Sequence, residues 1–316
     1  MTWAALGARR LRPVRRGLLW WLPPSVASFI YTVVLRPRLL RRLAQRTIRM
    51  LIPGRLEIGG VTLILNPEDA IVSGNLALGC YENFNVEFFT ALLRPGMSVI
   101  DVGANIGLYS AIAARRVGES GRVIAIEPSM ENCRFIERTR ELNHLGNLEI
   151  VDRAASDVSG PGVLYLNRDN KADHRIFDPT GTRPRMPVTL TTIDDLADEL
   201  GVGRIDLLKI DVQGAEASVF RGMSALLARS PHCRILMEFW PWGIERSGSD
   251  PATLLEMLLS RELLLYVMDG NACVAHRMSD PQPLLTMSKE RHYVDLFFAR
   301  ADDPLLADPA VRRWIV

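Results

Sequence analysis

Residues 98–107 read SVIDVGANIG, and their reading decides the fold. Ser98 to Asp101 is an apolar strand that stops at a carboxylate. It hands over to a glycine-spaced turn, Gly103-Ala104-Asn105-Ile106-Gly107. Glycine lacks a Cβ, so such a turn lets backbone approach a ligand closely. The next stretch, Leu108 to Val117, is rich in alanine and free of Gly and Pro, which predicts a helix. Its N-terminus would face the same crevice. A dinucleotide fingerprint has glycine at all three positions of G-x-G-x-x-G. Here Asn105 takes the middle place, which weighs against a nicotinamide cofactor. The next apolar run, 122–127, ends in Glu127, at the distance where an acid meets ribose hydroxyls.

Working outward, strands are predicted at 98–101, 122–127, 147–151, 205–211, 233–239, 263–268 and 293–299. Helices are predicted at 107–117, 129–145, 214–228 and 251–261, with Ser129 as an N-cap and Glu131 in the first turn. Such alternation means an α/β fold, a mostly parallel sheet with helices on both faces. It fails between 152 and 204, where Val163–Leu166 and Met186–Leu190 read as an inserted strand pair around a polar loop, 167–185. Upstream, Arg55 to Leu65 reads as a hairpin about Gly59-Gly60, and Asn85 to Leu93 as a helix.

In an open parallel sheet, ligands bind at the carboxyl ends of the strands. Asp101, Glu127 and Asp211 stand at such ends, Ser156 and Asp157 follow the third strand, and Glu238 lies near the end of the fifth. Lys209 falls inside a strand that should be buried on both faces, where a charge is costly unless paired. Glu216 and Glu238 are its expected partners. His174 lies in the polar loop that could cover the crevice, beside Arg175. His144, His232, His276 and His292 lie in less informative settings.

The motifs DVGANIGLYS (101–110), GRVIAIEPS (121–129) and IDLLKIDVQGAE (205–216) occur in this order. DNKADHRIF (169–177), TIDDL (192–196) and EFWPWG (238–243) interleave with them. Together they resemble the FkbM-type family of S-adenosylmethionine-dependent methyltransferases over about Asn75 to Gly270. The resemblance implies a class I methyltransferase (Rossmann-like) fold with a seven-stranded sheet whose final strand is antiparallel. It also implies O-methylation of a hydroxyl on a glycan, lipid-linked or secondary-metabolite acceptor. The family often carries Glu where this chain has Gln213.

On this reading S-adenosylmethionine is held by Asp101 (ammonium), the amides of Gly103, Asn105 and Gly107 (carboxylate), Glu127 (ribose diol) and Ser156 or Asp157 (adenine). His174 is the expected general base, with Asp211 and Lys209 as further catalytic residues. Arg175, Glu216, Glu238 and Trp240 are expected on the acceptor side. Asp211 with Asp194 or Asp195 could hold a hard cation, but acids also start a helix well, and no metal is expected. A nicotinamide oxidoreductase and a non-catalytic membrane-surface binding protein are the alternatives. Asn105 opposes the first. The glycine turn, Glu127 and Asp211 oppose the second.

Composition divides the 316 residues unevenly. Residues 1–55 hold twelve Arg and no Lys, Asp or Glu, leaving 26 basic against 36 acidic residues in the remainder. A basic head on an acidic body suits a polyanion partner for the head alone and argues against nucleic acid. Residues 17–35 are uncharged, flanked by arginines and interrupted by Pro23-Pro24. They read as packed apolar helices, as a peripheral attachment to an anionic membrane, or as a span. The domain reading is a basic extension (1–50), a lead-in hairpin and helix (51–96), the catalytic domain (97–300) and a tail (301–316). Four isolated cysteines without CxxC spacing fit reduced, buried thiols and a cytoplasmic setting.

Overall fold

The structure is a computed structural model and describes residues 47–79, 81–167, 170–178, 180–287 and 293–316. The readings made for the basic head, for residues 17–35 and for His292 therefore fall outside the described residues, apart from a short helix at 47–51.

A hairpin of β1 (Arg55–Ile58) and β2 (Val61–Ile64) comes first. The main sheet is built from β3 (Ser98–Val102), β4 (Arg122–Ile126), β5 (Leu148–Val151), β9 (Leu207–Ile210), β10 (Arg234–Phe239), β11 (Leu263–Asp269), β12 (Val274–Met278) and β13 (Val294–Arg300). Their order is β12-β11-β13-β10-β9-β3-β4-β5. β5, β4, β3, β9 and β10 run parallel, and β13 inserts antiparallel between β10 and β11. This is the class I methyltransferase sheet. It has eight strands where the sequence predicted seven, because β12 forms a hairpin with β11 at the edge.

Alternation along the strands sorts side chains to two cores. Ile100, Val102, Ile124, Ile126, Leu208 and Ile210 enter one. Val99, Val123, Leu207 and Leu236 enter the other, against the helices Asn83–Leu92 and Leu108–Val117. The second face turns polar toward the carboxyl ends of the strands, where Asp101, Lys209, Glu238 and Asp295 continue the same alternation. Asp101 is the register partner of Lys209, and Glu238 that of Asp295. The fold thus lays a row of ionisable groups across four adjacent strands.

Three local departures have physical reasons. The helix expected at 214–228 is two helices, Glu216–Arg221 and Ser224–Arg229. Gly222 breaks it by passing so close to the Ser156 carbonyl that a Cβ there would stand 2.0 Å from the oxygen. Asp194 then caps the second helix, accepting from Ala225 and Leu226 N–H at 2.9 and 2.7 Å. The inserted pair is β7 (Gly160–Tyr165) against β8 (Arg185–Thr191), joined by β6 (Ala154–Ala155) in a three-stranded sheet ordered β6-β8-β7. Cys273 is exposed, unlike the buried Cys133 and Cys233.

The lead-in hairpin is docked by side chains that imitate strand pairing. Asn143, at the end of the Met130–Asn143 helix, accepts from Thr62 N–H and donates to the Thr62 carbonyl, both at 2.8 Å. Thr139 accepts from Ile64 N–H at 3.0 Å. Asn143 is buried, so its truncation leaves two backbone groups unpaired. Asn143→Ala should cost about 1–3 kcal/mol in urea unfolding. A midpoint equal to that of the parent chain would show that apolar packing alone holds the hairpin.

Candidate active site

A cleft opens at the carboxyl ends of β3, β4 and β9 and encloses about 560 Å3 of empty space, part of it open to solvent. Val102, Ile126, Pro128, Ala155, Leu164 and Val212 give it apolar walls. Gly103, Asn105, Glu127, Asn132, Asp211 and Gln213 bring polar groups from the strand ends. Lys171, Ala172, His174 and Ile176 line it from the polar loop, so that loop does cover the crevice. Gly103 is at φ +80°, and a Cβ on it would lie 2.0 Å from the Asp211 carbonyl oxygen. That contact is what lets the ends of β3 and β9 close together.

Glu127 is the best-fixed acid of the cleft. Its Oε2 accepts from Asn105 N–H at 2.9 Å. Its Oε1 accepts from Ser129 N–H at 2.9 Å and Asn132 Nδ2 at 3.2 Å. These donors set the direction of the carboxylate, while burial pushes its pKa up to about 7. A buried carboxylate can accept further hydrogen bonds, and a vicinal diol offers two O–H donors in matching geometry.

The sequence model of the FkbM methyltransferase domain matches residues 101–263, just over half of the chain. The chain belongs to the FkbM methyltransferase family. It is 28% identical to methyltransferase sdnD of Sordaria araneosa over 159 residues, covering 40% of this chain and 60% of the relative. It is 32% identical to the AMB antimetabolite synthetase AmbE of Pseudomonas aeruginosa over 178 residues, covering 44% of this chain and 8% of that protein. The chain thus spans less than two thirds of either relative. Among solved structures, an O-methyltransferase from Bacillus cereus in complex with SAH aligns over 86% of this chain and 94% of that one. The TM-score there is 0.41 and the identity 12%.

S-adenosylmethionine is the cofactor of this methyltransferase, and the cleft fits it: a fixed acid for the ribose, apolar walls for the adenine, and carboxylates at the far end for its positive charges. Three parts of the expected binding set do not fit, the first being Asp101, which is buried on Ser110 and does not line the cleft, so it is not the ammonium's partner. The amides of Gly103, Ala104, Asn105, Ile106 and Gly107 are all paired within the protein. They reach the Ile126 carbonyl, Glu127, the Asn105 side chain and the Ala104 carbonyl. The turn therefore offers its surface and not its N–H groups, and Gly107 packs on Ile136 outside the cleft. Ser156 and Asp157 also lie outside, in a neighbouring groove. Ser156 Oγ stands 3.3 Å from Ser218 Oγ, and Asp157 is ion-paired with Arg221 at 2.8 Å.

Beyond Asp211 the methyltransferase builds a nest of acids about one lysine. The buried Lys209 ammonium lies 3.7 Å from Asp211 Oδ2 and 4.7 Å from the centre of the Tyr109 ring. Glu82, Asp101 and Asp295 add their fields, and together these acids hold Lys209 protonated against the cost of burial. Its close partner is thus Asp211, not the expected Glu216 or Glu238. Asp101 is buried and accepts from Ser110 Oγ at 2.5 Å, away from the cleft lining. Glu82 accepts from Tyr109 Oη at 2.6 Å, and burial raises its pKa to about 7. Asp295 accepts from Asn85 at 2.7 Å. Glu238 is pushed upward by burial and by Asp211 and Asp295. Glu216 is buried with one oxygen on Gly214 N–H, its pKa raised by burial to about 7.

Arg175 is not free for an anionic acceptor. It donates to Asp173 at 2.5 Å, and its guanidinium stacks 4.5 Å from the Trp240 ring, itself buried. His174 Nδ1 accepts from Asn167 N–H at 3.1 Å, and burial lowers its pKa. A neutral imidazole that accepts at Nδ1 carries its proton on Nε2. That second nitrogen is a donor, which corrects the assignment of His174 as general base. Asp194 caps the Ser224–Arg229 helix, Asp195 accepts from Ser159 Oγ, and among the described residues no three potential metal ligands cluster.

Sequence reasoning missed Glu82, Tyr109 and Lys171. Lys171 bonds Glu131 at 2.6 Å and so ties the covering loop to the helix below it. It also missed Asp295, though a charge inside the apolar run VDLFF carried the same signal as Lys209 in LLKID.

With Glu127 proposed as the acceptor of the ribose diol, cofactor binding is expected to depend on pH. The pKa of Glu127 is raised, so the carboxylate form that accepts both ribose hydroxyls grows as pH rises through about 7. Affinity for S-adenosylhomocysteine, measured by calorimetry, should increase from about pH 6 to about pH 8. Glu127→Ala should weaken binding by about 1–3 kcal/mol. Glu127→Gln should flatten the pH dependence. A Gln variant that keeps the parent profile would assign that dependence to another group.

Proposed function

We propose that this methyltransferase acts on a hydroxyl group of a small polar acceptor, of the glycan, lipid-linked or secondary-metabolite class, and that Asp211 receives the hydroxyl proton. One observation carries the reading. Asp211 lines the cofactor cleft and also touches the lysine-centred nest, so it is the carboxylate shared by the two halves of the site.

An alcohol is a poor nucleophile until its proton leaves, and a base within hydrogen-bond reach contributes about 100- to 10,000-fold. S-adenosylmethionine supplies an electrophilic methyl group when bound. The chain supplies the rest. Glu127 and the apolar walls hold the nucleoside. Asp211 takes the proton from the acceptor oxygen. Lys209, held charged by its neighbours, offsets negative charge that develops on that oxygen. His174 presents an N–H donor from the covering loop and orients a bound group. Transfer to a hydroxyl, and not to an amine, is supported by this pairing of a carboxylate with a fixed ammonium, since a neutral amine needs no such charge to become nucleophilic.

Asp211→Asn keeps the shape of the side chain and removes the proton acceptor. Turnover should fall by about 100-fold or more. Affinity for S-adenosylhomocysteine should fall far less than turnover does. The assay supplies S-adenosylmethionine with a 13C-labelled methyl to a panel of hydroxylated acceptors. The carbon shift of the product shows whether oxygen carries the methyl. An Asn variant with parent turnover would remove Asp211 from the chemistry, and a product methylated on nitrogen would replace the hydroxyl reading.

A further inference from the structure

Gln213 stands two residues beyond Asp211, in a backbone conformation few side chains adopt. Its φ is +55°, in the left-handed region. Its amide nitrogen donates to Asp211 Oδ1 at 2.8 Å and to Glu238 Oε1 at 2.9 Å. Both hydrogens of one –NH2 group are thus committed to two carboxyl groups on adjacent strands. No other side chain of this length places two donors on one atom without adding a charge.

The arrangement meets a specific hazard. Two neighbouring carboxyl groups in a poorly solvated place tend to hold one proton between them. Glu238 is already pushed toward its protonated form by burial and by its acidic neighbours. Set directly against Asp211, a protonated Glu238 would donate to the oxygen that has to receive the acceptor's proton. The amide sits between them and fills that position with a donor that does not titrate. The other groups facing Asp211 are Lys209 on its own strand, Asp101 on β3 and Asp295 on β13. Glu216 faces it from the following helix, with Tyr81 and Glu82 before the Asn83–Leu92 helix and Tyr293 before β13. Lys209 is the cation among them, and it reaches Asp211 through Oδ2, leaving Oδ1 to the amide.

We propose that Gln213 is a positioning residue: it aims Asp211 into the cleft and keeps it from sharing a proton with Glu238. The role rests on the reading of Asp211 as proton acceptor, yet it has its own readout. With the aspartate side-chain carboxyl carbons labelled with 13C, the titration of Asp211 can be followed by NMR in the whole chain without any acceptor. The signal is assigned by its loss in Asp211→Asn.

Two variants separate the amide from the backbone. Asparagine tolerates the left-handed region but is one methylene shorter, so Gln213→Asn keeps the turn and cannot span both carboxyl groups. Gln213→Glu keeps the length and replaces the double donor by a third acid. Each should move the Asp211 midpoint upward by about one pH unit or more, because a bridging donor is lost or a like charge added. A midpoint unchanged in both variants would overturn the proposal, and so would failure of both to fold, since the amide would then be purely structural. Parent-like turnover in Asp211→Asn would instead overturn the base reading while leaving the shift to be seen. A shift together with an inactive Asp211→Asn supports both.

Discussion

One buried ammonium organises the catalytic end of this molecule. Lys209 sits on the face of β9 that elsewhere packs leucine against the Leu108–Val117 helix. A charge in such a place is tolerated only when opposite charges and polar contacts surround it. The sheet supplies them by alternation alone. Asp101 on β3 is in register with Lys209, and Glu238 and Asp295, register partners of each other, stand two residues further along the same face on β10 and β13. The acids in turn need donors, and each has found a neutral one: Ser110, Tyr109, Asn85 or Gln213. The result is a polar layer at the carboxyl edge of an otherwise apolar sheet, open to the cleft through Asp211.

On the proposed reading, the same edge brings cofactor and acceptor together. Gly103 lets β3 and β9 end in contact, so the half of the cleft that holds Glu127, proposed for the nucleoside, adjoins the charged half, centred on Lys209. Asp211 belongs to both. The loop after β7 covers the nucleoside half and is braced from within by Asp173, which accepts from Arg175, Arg183 and Asn167. Lys171 fastens it to the helix that Ser129 caps. Positioning of this kind is the main contribution a protein can make to an in-line displacement, where the covalent change is small.

Much of this was legible in the sequence because central parallel strands are written as short apolar runs. The runs at 98–101, 122–127 and 233–239 became strands within a residue or two of their expected ends. β12 was not legible, since VAHRM is half polar and lies at an edge where one side needs no burial. The helix break at Gly222 depends on how closely the Ser156 carbonyl approaches, which no local pattern records. In the site, residues at strand ends were found, because topology alone tells where strand ends point. Glu82 and Asn85 were not, since their places are set by contacts with Tyr109 and with Asp295, 27 and 210 positions along the chain. The role of His174 turned on a hydrogen bond to its own loop, and that of the turn amides on pairing inside the turn. Both are matters of tertiary geometry that residue identity does not encode.

The most direct test of this account is an experimental structure of the chain with S-adenosylhomocysteine bound. The account predicts the ribose diol on Glu127, the adenine between Ile126, Pro128 and Leu164, and the sulfur directed toward Asp211 and Lys209. A ribose held elsewhere, or a sulfur turned toward the groove of Ser156 and Arg221, would contradict it.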